Sequence, residues 1–318
     1  MICMEAKGIN KMIEKIRKAI KDGSIIEKTC RKIHHNIPIY VVDNKNIEFQ
    51  LRMSKVYKKY EKKYKDIIME GIEEKETKKT KTVWICWFQG EASAPPLVKA
   101  CISSVRRNLS GYDVIVITDE NVSQYIQFPN YIEDKWKQGK IPFAHYSDLL
   151  RTELLCKYGG IWIDATVYCT SELPNYISSV PLFLYKQMDL IHLDTTPSIA
   201  SSWLISSVSN NKILLLTRKL LFTYWEKHST LNNYFLFHIF LTMAARRYWE
   251  EWNSIPTFNN HSPHTLFFEL DTKFNSKRWE EIKQISCFHK LNHHIKYENI
   301  EDTYLENILN NENNIWER

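Results

Sequence analysis

Two runs of the chain, TVWICWFQ at residues 82–89 and YDVIVITDEN at 112–121, are apolar through their middles instead of alternating apolar with polar. A strand with one wet face alternates; a strand that is apolar throughout is covered on both faces. Between them, APPLVKACISSVRRNL at 94–109 reads as a helix with proline at its start. Strand, helix, strand in this order gives a right-handed crossover and a parallel sheet covered by helices. Ligands of such sheets bind beyond the carboxyl ends of the strands. That places Trp87, Gln89, Gly90, Thr118 and Asp119 at the expected site. The turn at Gly90 is not a GxGxxG, and no GxxxxGK occurs, so the dinucleotide fingerprint and the NTPase phosphate loop are both absent.

Composition suits one large α/β domain with an appendage. The chain has 318 residues, 44% of them hydrophobic and 25% charged, which allows a sizeable core and argues against wholesale disorder. Lysine plus arginine exceed aspartate plus glutamate by 43 to 37, a formal +6. That bias is too small to indicate nucleic acid, and no nucleic-acid partner is expected; it suits phosphate-bearing ligands or an anionic membrane surface. The cysteines are odd in number, form no CxxC, and at Cys86, Cys101 and Cys156 sit in apolar runs, so a reducing compartment is expected. The N-terminal stretch lacks a signal-peptide apolar core, and no run approaches ~18 apolar residues. The expected location is the cytoplasm, with peripheral contact to the inner face of the cell membrane as a further option.

Residues 1–80 are expected to form a basic, helical N-terminal appendage, and 81–318 the main domain. Ile9, Met12, Ile13, Ile16 and Ile20 fall at helical spacing. MSKVYKKYEKKYKDIIMEGIEEKETKKTKT supplies a second helix, and its charged tail reads as a hinge. The appendage is expected to be a solvated helical unit packing on the main domain. The sharper alternative is a basic face near anionic lipid, where a lipid-linked substrate would reside.

The segment AHYSDLLRTELLCKYGGIWIDATVY at 144–168 carries the chemistry. Residues 147–158 read as a helix in which Arg151 falls inside the apolar arc and Asp148 borders it. A guanidinium aimed into a core needs a partner. An intrahelical Asp148–Arg151 pair and a shared grip on a polar ligand account for this equally well. Gly159 and Gly160 end the helix, and a strand over 161–169 is expected to follow. Its alternation puts Asp164 and Thr166 on one face. A carboxylate and a hydroxyl so placed suit a hard divalent cation bridging a diphosphate; the bland alternative is Asp164 salt-bridged to Arg151 in the core.

AHYSDLLRTELLCKYGGIWIDATV resembles the signature of DXD-type sugar transferases. The similarity is closest to the capsular polysaccharide synthesis family and more distant to the glucosylating clostridial toxins. Serine-aspartate-x-x-arginine, a helix, and glycine-glycine-x-aromatic-x-aspartate all stand here in order; Thr166 replaces the second acid. VWICWFQGEASAPPLVKACISSVRRNLSGYDVIVITDENVSQYI resembles the opening β-α-β segment, and SCFHKLNHH at 286–294 the family's short His-Lys-Leu motif. The resemblance implies a GT-A fold, an α/β nucleotide-sugar-binding sheet. It implies transfer of a sugar, with retention, from a UDP-sugar to a capsular or lipopolysaccharide-type glycan that is lipid-linked in some settings. It also implies a divalent cation, Mn²⁺ or Mg²⁺. Trp87 would stack on the base, Asp148 would bind donor hydroxyls, and Arg151 would meet the sugar or diphosphate. Asp164 would hold the cation, with Thr166 and His289 as further candidate ligands, and His289 and Lys290 would close over the phosphates. Two rival readings stand beside it: a non-catalytic sugar-nucleotide-binding partner of another transferase, and a sugar-phosphate transferase.

In the C-terminal third, NKILLLTRKLLFTYWEKH and NNYFLFHIFLTMAARRYWEEW read as apolar helices whose aromatics are core. IPTFNNHSPHTLFFEL follows as a loop bordering the acceptor groove, with His261 and His264 in loop and not on a helix.

Overall fold

The computed structural model describes residues 44–186, 198–298 and 300–316. The helix expected around Ile9–Ile20 lies outside them. Of the described residues, 44–63 belong to one compact unit and the remainder to a second. The first holds a single described helix, α1 (Asn44–Lys63), on which Met53, Tyr57 and Tyr60 form a buried stripe at helical spacing.

The second unit begins with the short helix α2 (Lys65–Glu70). The charged run after it was expected to be a hinge, and it is instead fastened to the domain. Lys78 N–H donates to Ser209 Oγ at 2.9 Å, Ser209 N–H returns a bond to the Lys78 carbonyl at 2.8 Å, and Ile72 N–H donates to the Tyr248 hydroxyl. The lysine and glutamate side chains are solvated while the backbone bonds to the domain, a distinction that charge content does not reveal.

The central sheet has five strands, β1 (Thr82–Cys86), β2 (Asp113–Ile117), β3 (Gly160–Ile163), β5 (Leu182–Lys186) and β6 (Ala200–Ser207), in the order β2-β1-β3-β6-β5. β1 runs parallel to β2 and to β3, and β6 runs antiparallel to β3 and β5. The β1–β2 crossover passes through helix α3 (Pro96–Asn108), whose apolar face, including Val98, Ile102 and Val105, is buried. Residues Val83 to Ile85 of β1 are buried, as an all-apolar central strand must be. This mixed α/β arrangement is consistent with the GT-A expectation.

Helix α4 (Phe143–Tyr158) leads into β3 through Gly159 and Gly160, with φ +71° and +97°. A Cβ at Gly160 would collide with the Thr82 carbonyl oxygen, so glycine permits β3 to lie against β1. The strand expected over 161–169 is broken. β3 stops at Ile163, a turn closed by Val167 N–H to the Asp164 carbonyl follows, and β4 (Val167–Cys169) leaves the central sheet. β4 pairs antiparallel with β7 (Phe288–Lys290) in a separate two-stranded sheet. The turn is only the three residues Asp164, Ala165 and Thr166, and apolar residues flank it on both sides in register with one strand's alternation, which is why the pattern reads as one strand.

The two apolar helices are α5 (Lys212–Lys227) and α6 (Leu236–Arg247). Asn211 caps α5, its side-chain oxygen accepting from Ile213 N and Leu214 N. Trp225, Tyr224, Phe237 and Phe240 are fully buried, as expected for core. A second cluster, including Leu97, Tyr168, Ile282 and Tyr304, holds the C-terminal region onto α3 and β4. No described helix is long and apolar enough to cross a membrane.

Candidate functional site

At the carboxyl ends of β1 and β3 lies a cleft of about 770 Å³, a size that suits a small-molecule ligand. The turn after β3 sets its chemistry. Asp164 N–H donates to the Trp203 carbonyl of β6 at 2.8 Å, which fixes the carboxylate at the strand end.

From that point a chain of alternating charges crosses the floor. Arg151 Nη2 lies 3.2 Å from Asp164 Oδ1, and Arg151 Nη1 lies 2.9 Å from Asp148 Oδ1. Trp162 Nε1 donates to Asp164 Oδ1 at 2.9 Å. On the other side, Lys290 Nζ lies 3.2 Å from Asp164 Oδ2 and donates to Thr166 Oγ1 at 2.5 Å. Arg151 and Asp148 are both buried, and the guanidinium charge is met by the two carboxylates and by the Trp162 ring, 5.1 Å from its carbon. The intrahelical pair and the pocket grip, alternatives in the sequence, coexist. Burial pushes the Asp164 carboxyl up, but the Lys290 and Arg151 charges and the Trp162 bond outweigh it and hold Asp164 below the usual carboxylate range.

Trp87 and Gln89 line the cleft at the end of β1; Gly90, Thr118 and Asp119 are not among its lining residues. Trp87 meets the His293 ring edge-on, at 5.2 Å between centroids. His289 departs from expectation. Neighbours on a strand point to opposite faces, so with Lys290 turned into the cleft, His289 turns into the interior. It is fully buried, its Nε2 is 3.2 Å from Thr170 Oγ1, and burial pushes its pKa down to about 3. It is therefore placed neither to ligate a cation beside Asp164 nor to close over phosphates.

Sequence reasoning passed over His238, which lines the cleft from α6. Burial, first, and the Arg151 charge lower its pKa to about 4, against the opposing pull of Asp148 and Asp164. The ring is thus neutral near pH 7. Among the described residues its Nδ1 has no hydrogen-bond partner, as is true of Trp87 Nε1 and Arg151 Nε. The available signal was one histidine inside the otherwise apolar FLFHIFLTM. His264 and Phe267 bring the 255–270 segment to the rim; against the loop expectation, Ser262–His264 is a 3-10 turn that includes His264 and is preceded by His261, and Thr265–Glu269 is a short helix. Tyr234 and Phe143 are exposed at the mouth. Cys86 lines the cleft too, but burial pushes its thiol up to about 12, so it is not a ready nucleophile.

A divalent cation does not fit this donor set. Among the described residues Asp164 is the one cleft carboxylate on the Thr166 side, and both its oxygens already face cations. Asp148 Oδ1 is engaged by Arg151 Nη1 at 2.9 Å, one helical turn along α4. Among the described residues no group of three or more His, Cys, Asp or Glu side chains could hold a metal ion.

The sequence pattern of the family described as "Capsular polysaccharide synthesis protein" matches residues 35–308. The chain belongs to that family. Within the capsular polysaccharide synthesis family pattern fall every charged residue of the cleft floor and both sheets. The chain is also 35% identical over 94 residues to the O-glycosyltransferase braB of Annulohypoxylon truncatum, covering 27% of this chain and 22% of that protein. It is 31% identical over 94 residues to the glycosyltransferase afumC of Aspergillus fumigatus, covering 27% and 24%. It therefore spans about a quarter of the length of these relatives. Among solved structures, the PaToxG glycosyltransferase aligns at 14% identity over 74% of this chain and 94% of that one, with a TM-score of 0.39.

Proposed function

We propose that the protein is a glycosyltransferase that moves a sugar from a nucleotide-sugar donor, UDP-linked, to a hydroxyl of a surface glycan, with retention at the anomeric carbon. The observation that carries this reading is the Asp148–Arg151–Asp164–Lys290 chain of charges at the carboxyl end of β3, open to a cleft that Trp87 borders. Family membership and the names of the partial relatives support it. Trp87 offers a flat face to the base, and Asp148 an acceptor for donor hydroxyls. Arg151 and Lys290 face the diphosphate. In the transfer, the bond between anomeric carbon and diphosphate oxygen breaks, and its electron pair stays on that oxygen. The acceptor oxygen bonds the anomeric carbon on the same face, and its proton passes to the departing diphosphate. Charge developing on that diphosphate is what the two cations stabilise. Cys86 is unsuited to attack, in keeping with a route that has no covalent enzyme intermediate.

A donor screen tests this. Purified protein is incubated with UDP-, GDP- and CMP-sugars, and released nucleotide is quantified. UDP release from one sugar is expected. Release of UMP would indicate sugar-phosphate transfer instead. Tight UDP-sugar binding with no turnover, even with glycan acceptors supplied, would favour a binding-only partner.

A further inference from the structure

We infer that this protein works without a divalent cation, and that the Lys290 ammonium, seated between Asp164 and Thr166 beside Arg151, stands in the place of the metal and meets the donor diphosphate directly. The inference rests on the nucleotide-sugar reading above.

The position is decisive. Lys290 Nζ lies 3.2 Å from Asp164 Oδ2 and 2.5 Å from Thr166 Oγ1, the two oxygens expected to share a cation. The backbone holds it there. Lys290 pairs with Val167 in the β4–β7 ladder, and Leu291 N–H donates to the Thr166 carbonyl at 2.9 Å. A metal in the same seat would displace the ammonium and still stand against the Arg151 guanidinium, which grips the other Asp164 oxygen at 3.2 Å.

The replacement of the second acid by Thr166 now has a physical reason. Two carboxylates, Asp148 and Asp164, face two cations, Arg151 and Lys290. A further carboxylate at 166 would leave the floor net negative where an anionic diphosphate must bind. A hydroxyl accepts the lysine's hydrogen bond and adds no charge. Lys290 keeps capacity for a ligand: an ammonium has three donors, two of which are engaged here.

The test is UDP binding by the full chain, followed calorimetrically in EDTA and in excess Mn²⁺, for the parent and for Lys290→Met and Lys290→Arg. Electron paramagnetic resonance of Mn²⁺ with protein and UDP is run alongside. The expected result is equal affinity in EDTA and Mn²⁺, with no protein-bound Mn²⁺ signal. Lys290→Met should lose about tenfold, one charge-assisted contact, and Lys290→Arg should recover part of it. Circular dichroism confirms that each variant is folded; if Lys290→Met is not, the parent comparison decides alone. Binding that requires Mn²⁺, with a bound signal, would overturn this inference and leave the donor reading standing. Binding in neither condition would overturn both.

Discussion

Asp164 and Arg151 meet at 3.2 Å, joining the turn after β3 to the middle of α4. The carboxylate positions the guanidinium, and the guanidinium makes the half-buried carboxylate tolerable. Removing either therefore acts on stability and on chemistry together.

Asp164→Ala should cost about 1–3 kcal/mol of stability, because Trp162 Nε1 loses its acceptor and two cations lose a counter-charge. It should also reduce donor turnover by roughly a hundredfold or more. Urea unfolding and nucleotide release on the same preparation check this. Parent-like turnover would remove Asp164 from the mechanism.

Thr166→Asp should make the floor net negative. UDP affinity in EDTA should fall by about tenfold, and Mn²⁺ should restore it, since a second carboxylate would complete an oxygen-ligand pair. Isothermal titrations of this variant with and without Mn²⁺ give the answer. Unchanged affinity in EDTA would contradict the charge argument.

Gly160→Ala should be severely destabilising, by about 2–4 kcal/mol, because the backbone has φ +97° and the added methyl meets the Thr82 carbonyl. A thermal melt within a degree or two of the parent, on the scale that about 0.5 kcal/mol would give, would contradict it.

Acid should weaken the fold before its carboxylates titrate. His238 and His289 are pushed down to about 4 and about 3 by burial, against about 6.5 when unfolded. The unfolded chain therefore binds protons first, and stability falls as pH drops from about 6.5 towards 4, continuing to about 3 for His289. Asp164 acts lower: its contribution is present above its unfolded value and is lost only as pH falls through its depressed folded value. Urea midpoints measured from about pH 7 down to 4 should decline, and more gently in His289→Phe. An equal slope in that variant would show that His289 is not the titrating group.

The sheet and the floor of the cleft were legible to different depths. β1, β2 and α3 could be read because covering a strand on both faces forces an apolar run. Asp148 and Arg151 could be read because a polar pair inside an apolar helical arc has few explanations. The break after Ile163 could not, because Ala165 and Val167 are as apolar in a turn and a second sheet as in one long strand. Lys290 and His289 were expected to act together, but a strand separates neighbours. Its existence depends on pairing with β4, a relation between distant segments that no local pattern carries. His238 needed only the question of why one histidine sits in an apolar helix.

The two-stranded β4–β7 sheet has a consequence in time. Lys290 and Thr166 are 124 positions apart in the chain, yet the ladder between their strands brings them together. During synthesis the ribosome makes every strand of the central sheet before it makes β7. A nascent chain could thus assemble most of the cleft and still lack its ammonium, and would gain full charge complementarity only when the last strand docks. Charge balance in this cleft would therefore follow the docking of β7 and not the completion of the central sheet.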